Sequence, residues 1–168
     1  DPKSQRFVEN FVRLWLNLDN LGEMPPSPDF ISFYRDNLEA AMRGETAAFF
    51  RHVLDRNLPP REFVAADYTF LNRELAQHYG LPPVEGVHLR QVSLPKGVRG
   101  GLLGQGAFLT ASANGVDTSP VVRGVHVQQK ILGYRSKSAG TVDRNPMITC
   151  VVLEGTVFLR DEDCFAVP

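Results

Sequence analysis

Asp67-Tyr68-Thr69-Phe70-Leu71-Asn72-Arg73-Glu74-Leu75-Ala76-Gln77-His78-Tyr79-Gly80 is the stretch on which the fold turns. It reads as a short helix capped by Asp67 and closed by Gly80 in the left-handed conformation, which glycine alone adopts without strain. Asp67 beside Tyr68 also suggests acid–base chemistry, because a carboxylate near a phenol can shuttle a proton. The competing reading spends Asp67 on the cap and packs Tyr68 and Tyr79 with their hydroxyls bonded.

Helical patterns precede this stretch. Phe7, Val8, Phe11, Val12, Trp15, Leu16 and Leu18 recur at amphipathic spacing behind a cap at Ser4. Ser27-Pro28-Asp29 repeats the start signal for a second helix that runs through Met42 to a stop at Gly44. Glu45-Thr46 opens a third pattern through Phe49, Phe50, Val53 and Leu54, halted at Asn57 and Pro59-Pro60. Pro60 to Val64 adds a further helical turn.

Downstream the character changes. Val87 to Leu94 alternates apolar and polar residues, as a half-buried strand or extended segment does. A glycine-rich run, Gly100-Gly101-Leu102-Leu103-Gly104-Gln105-Gly106, follows, and Thr118-Ser119-Pro120 then starts a helix from Val121 to Leu132 that Gly133 closes. Tyr134 to Pro146 is polar and patternless, and Met147–Leu153 with Thr156–Leu159 forms a short hairpin pattern. The expected fold is mainly α: a helical, bundle-like assembly with a glycine-rich loop region and a short C-terminal β-hairpin. Its expected divisions are a helical portion at 1–83, the glycine segment and last helix at 84–133, and an atypical tail at 134–168.

The glycine run does not carry nucleotide chemistry. Gly101 to Gly106 has the P-loop spacing, but Ala107 and Phe108 stand where a phosphate-binding lysine and a magnesium-binding hydroxyl are required. A dinucleotide fingerprint fails too, because Leu109 occupies the third small position and no repeated strand–helix units surround it. The glycines are better explained by close backbone approach, with Leu102, Leu103, Phe108 and Leu109 turned inward. A polar candidate site lies beyond them. Asn114, Thr118 and Ser119 gather at a helix start, whose free amides favour an anion, and Arg123 sits about one turn inside. Simple capping by Thr118 or Ser119 and a surface bridge from Arg123 is the alternative.

Composition narrows the function classes. The 168 residues are 43% hydrophobic and 22% charged, enough apolar material for a globular core. Eighteen Lys and Arg against nineteen Asp and Glu leave a net charge of −1, with no basic excess to hold nucleic acid. No run of about 18 apolar residues exists to form a transmembrane helix. The start at Asp1 without a leader suggests a mature or excised piece. Cys150 and Cys164 form no CxxC or CxxCH motif, although they can join across the hairpin pattern in an oxidising compartment. His52, His78, His88 and His126 lack metal-ligand spacing, so a metal site would have to be assembled from distant segments; helix-surface or packing roles are the main reading, with His78 or His126 as axial ligand to a neighbouring domain's haem the alternative.

Two ordered motifs together carry a family resemblance: Ala66 to Gly80, and Arg99 to Gln105 continuing to Thr118-Ser119-Pro120-Val121-Val122-Arg123-Gly124. With the upstream FVENFVRLWLNLDNL and RGETAAFF, they resemble adjoining domains of unknown function from large secreted cytochrome-like proteins of planctomycetes. The resemblance runs from Arg6 to Gly133, covering the end of one domain and the start of the next. It implies export to the periplasm, cell envelope or exterior, and a c-type haem held in a separate domain, with no cofactor in this segment. The implied partners are the other domains of the parent protein, the haem domain among them.

After Gly133 the resemblance lapses. The family continues with a proline-rich run, whereas Tyr134-Arg135-Ser136-Lys137-Ser138 begins something different, so 134–168 is either a truncated or frameshifted end or a genuine variant. The functional expectation is a non-catalytic scaffold or interaction segment of a haem-associated multidomain protein. The alternative is a cell-envelope enzyme or ligand-binding module, an oxidoreductase acting on carbohydrate-like material being one form, with its site at Asn114, Thr118, Ser119 and Arg123.

Overall fold

A computed structural model describes residues 1–21, 37–95, 99–113 and 120–134. The chain divides into two packed units, Asp1–Ala111 and Ser112–Pro168. Among the described residues the fold is mainly helical, with six α-helices and one two-stranded antiparallel sheet.

Helix α1 spans Pro2–Trp15. Asp1 rather than Ser4 caps it, its carboxylate accepting the Lys3 amide at 2.9 Å, so the helix begins earlier than its apolar periodicity indicates. Val8 and Val12 supply its buried face, and the core continues through Leu16, Leu18 and Leu21 around a short 3-10 turn at Leu18–Asn20.

Helix α2, Leu38–Asp55, passes straight through the expected stop at Gly44. Glycine terminates a helix when it turns left-handed; a glycine that keeps helical angles only removes a side chain. The missing atom matters here, because a Cβ at Gly44 would stand 2.9 Å from the Leu89 side chain. Leu38, Ala41, Met42, Glu45, Thr46, Phe49 and Val53 line the buried stripe of α2, at the spacing that puts one helix face against a core. The expected helix start at Ser27 lies outside the described residues.

Asn57, with φ of 50°, ends the passage out of α2, and the turn foreseen near Pro60 appears as α3, Glu62–Ala65. Phe11, Trp15, Phe50 and Phe63 then join α1, α2 and α3 through ring contacts with centroids 5.3 to 6.0 Å apart. Offset and edge-on aromatic contacts of this kind fix the relative placement of helices beyond what area burial alone provides.

The stretch from Asp67 to Gly80 is not one helix. Tyr68–Leu71 is strand β1, and the helix, α4, is confined to Arg73–His78. Asp67 therefore caps nothing; its carbonyl accepts the Leu94 amide at 2.7 Å. The cap of α4 is Asn72, whose side-chain oxygen accepts the Leu75 amide at 3.0 Å. Gly80 closes the segment as expected, with φ of 65°. Strand β2, Arg90–Ser93, pairs antiparallel with β1 so that Tyr68 faces Ser93 and Leu71 faces Arg90. Alternation along β1 turns Thr69 and Leu71 into the interior and leaves Tyr68 and Phe70 half-buried. Asn72→Ala is expected to lower stability by about 1 kcal/mol, the usual value of an N-cap, in a urea melt followed by circular dichroism.

The glycine run is more ordered than a loop. Leu102–Gly104 forms a 3-10 turn and Gly106–Ala111 forms α5. Leu102 and Phe108 are fully buried, whereas Leu103 and Leu109 are half-buried. In the second unit, α6 spans Pro120–Lys130, and Gly133 follows with φ of 73°. The hairpin pattern after Met147, Cys150 and Cys164 all lie outside the described residues.

Candidate functional site

Glu45 sits on the buried stripe of α2, three residues after Met42 and four before Phe49, and is 1% exposed. A carboxylate withdrawn from water is costly unless its oxygens are bonded. Two hydroxyls meet this need. Thr69, on the inward face of β1, donates to Oε1 at 2.6 Å, and Tyr79, just after α4, donates to Oε2 at 2.5 Å. The Tyr79 oxygen in turn accepts the Gly106 amide at 2.7 Å, at the start of α5. One carboxylate thus ties α2, β1 and the α4 terminus to the glycine segment.

Arg99 completes the cluster. Its guanidinium lies 3.8 Å from the centroid of the Tyr79 ring, and its Nη1 donates to the Gly104 carbonyl at 2.8 Å. Burial pushes the Glu45 carboxyl up to about 7, against the lowering effects of Thr69, Tyr79, Arg99 and the Gly106 amide. The Tyr79 hydroxyl is raised well above the usual range, first by burial and then by the neighbouring carboxylate. His78 is lowered by burial and by Arg99. Such a cluster holds a proton near neutral pH, which is the property an acid–base catalyst also needs.

The space beside the cluster is small. The cavity lined by Glu45, Thr69, Tyr79, Arg99 and Gln105 has about 10 Å³ of room, enough for about one water molecule. The glycines explain why the wall is so close. A Cβ at Gly100 would stand 2.8 Å from the Ala66 carbonyl, and one at Gly101 would stand 2.4 Å from the Phe63 carbonyl. A Cβ at Gly106 would meet the Tyr79 hydroxyl at 2.8 Å and the Met42 side chain at 2.9 Å. These glycines therefore serve backbone approach, as their sequence context indicates.

Tyr79→Phe isolates one bond of the cluster. It strands the Gly106 amide and frees one Glu45 oxygen, so a loss of about 2 kcal/mol is expected in chemical unfolding, with the helical spectrum retained.

Of the residues expected to form a ligand site, Asn114, Thr118 and Ser119 lie outside the described residues. Arg123 is on α6, where its Nε donates to the Ser112 hydroxyl at 3.3 Å. The carboxyl that burial raises is Glu45, bonded to the Tyr79 hydroxyl. Glu45 has a legible signal, since it is an acid on the apolar stripe of a helix. Its partners do not, because Thr69, Tyr79 and Arg99 converge only through tertiary packing. Among the described residues no group of three or more His, Cys, Asp or Glu gathers to hold a metal ion, and no helix is long and apolar enough to cross a membrane.

These features define a mainly helical unit whose titratable cluster ties α2, β1 and α4 to the glycine segment. Residues 1–81 match the PSD4 family, a protein of unknown function (DUF1592), and residues 99–149 match the PSCyt3 family, a protein of unknown function (DUF1588). The chain therefore carries two adjoining domains of these planctomycete cytochrome-associated families. No curated protein and no solved structure matches it. The family boundary is not the packing boundary: Arg99–Ala111 falls in the second family match but packs within the first unit.

Proposed function

We propose that this chain is a non-catalytic scaffold or interaction segment of a secreted, haem-associated multidomain protein, acting on electron transfer only indirectly. The observation that carries this reading is the polar cluster itself. Both carboxylate oxygens of Glu45 are bonded to the chain's own hydroxyls, and the space beside them is about 10 Å³, so no substrate-sized molecule reaches the group with acid–base character. The name PSCyt3 points to a cytochrome association, which supports a c-type haem in a separate domain of the parent and makes that domain a partner. Export to the cell envelope or beyond belongs to the same reading.

An interaction role draws further support from α1. Phe7, Phe11 and Leu14 remain 60%, 40% and 61% exposed, and apolar residues left at the surface together favour contact with another surface. The test is made in the parent protein with its haem domain. Glu45→Gln should leave the rates of haem reduction and reoxidation, followed by absorbance, within about twofold of the unaltered protein, a difference worth about 0.4 kcal/mol. A collapse of those rates in a variant that keeps its fold would replace the scaffold with an enzyme.

A further inference from the structure

We infer that the cavity beside Glu45 is a binding site for a single water molecule, held by the Gln105 amide and the polar wall around it. The claim starts from Gln105. Its side chain is 2% exposed, yet neither Oε1 nor Nε2 has a hydrogen-bond partner among the described residues. A primary amide offers two donors and two acceptor positions, and buried polar groups in folded proteins are almost always bonded to protein or to ordered water. Gln105 lines the cavity with Glu45, Thr69, Tyr79 and Arg99, so the unbonded amide belongs to a residue that borders this space.

Size and charge then select the occupant. About 10 Å³ admits one water and excludes phosphate, sulfate or any organic ligand. Above about pH 7, where Glu45 is ionised, its carboxylate on one wall opposes an anion such as chloride, and the guanidinium of Arg99 on another opposes an alkali or ammonium cation. A neutral molecule that both donates and accepts escapes both objections and matches both ends of the amide. The water has a structural consequence as well. Gln105 immediately precedes Gly106, whose amide bonds Tyr79, so the water and that bond fasten the same segment to the cluster.

The test uses the chain as it stands. Oxygen-17 relaxation dispersion of the solvent should register a long-lived water, and water-to-protein cross-relaxation in the ¹⁵N-labelled chain should reach the Gln105 side-chain amide and the Gly106 amide. In Gln105→Met, which keeps the length and removes the polar atoms, both signals should disappear. Melting temperatures in sodium, potassium and ammonium chloride at equal ionic strength should coincide. Absence of a long-lived water in the unaltered chain overturns the inference, and that measurement needs no variant to fold. Saturable stabilisation by chloride or by one cation overturns it equally, because it would put an ion in the cavity.

Discussion

Gly101→Ala is expected to lower the unfolding free energy by about 3 kcal/mol or more, read from urea unfolding followed by Trp15 fluorescence. Two effects act at this position. The backbone has φ of 56° and ψ of −168°, a region essentially restricted to glycine. In addition, the new methyl would stand 2.4 Å from the Phe63 carbonyl oxygen and 2.8 Å from the Val64 carbonyl carbon, and main chain in α3 cannot swing aside as a side-chain tip can. Gly80→Ala separates the two effects. Its φ is 65°, but nothing lies within 4 Å of the added atom, so only the conformational cost of about 1 kcal/mol is expected. Equal losses in both variants would mean that the glycine segment does not press against α3.

The second large effect is a reversed pH dependence. Glu45 binds its proton up to about pH 7 in the folded chain but only to its ordinary value of 4.5 when unfolded. Between those limits the folded state holds a proton that the unfolded state has released, so stability is greatest at the acidic end and falls as pH rises through the window. A shift of this size corresponds to about 3 kcal/mol at most. His78 contributes with the opposite sign: its folded value is lowered, so its share of stability appears as pH rises through the ordinary histidine range. Glu45→Gln retains a neutral, bonded group and removes only the titration. Subtracting its pH profile from that of the unaltered chain should leave a difference that declines from pH 5 to pH 7.5, and a flat difference would show that the carboxylate is not withdrawn from water.

The pattern of success in reading the sequence follows from the range of the forces involved. Helices whose signal is an apolar stripe of local residues, such as α1 and α6, were legible, as were the left-handed glycines at Gly80 and Gly133. Strand β1 was not, because its stability comes from pairing with Arg90–Ser93, some twenty residues on, while the sequence around Leu75 is locally helical. The clue lay at Asn72, a strong cap residue in the middle of the presumed helix. Gly44 misled for a related reason: its purpose is room for Leu89, a contact that periodicity does not report. Within the candidate site, the packing role of the glycines was readable from Ala107 and Phe108. The convergence of Glu45, Thr69 and Tyr79 depends on three separate elements meeting, and no local spacing encodes it.

Hydrogen exchange under native conditions bears most directly on the claim that Arg99–Ala111 is an integral part of the first unit, fastened there by a buried carboxylate. The amides of Gln105, Gly106 and Leu109 should exchange with the same free energy of opening as those of α2 around Phe49, because one cooperative unfolding event exposes both. If the amides of 105–109 exchange by a separate, lower-energy opening while α2 stays protected, the segment is only an attachment and the cluster does not hold the unit together.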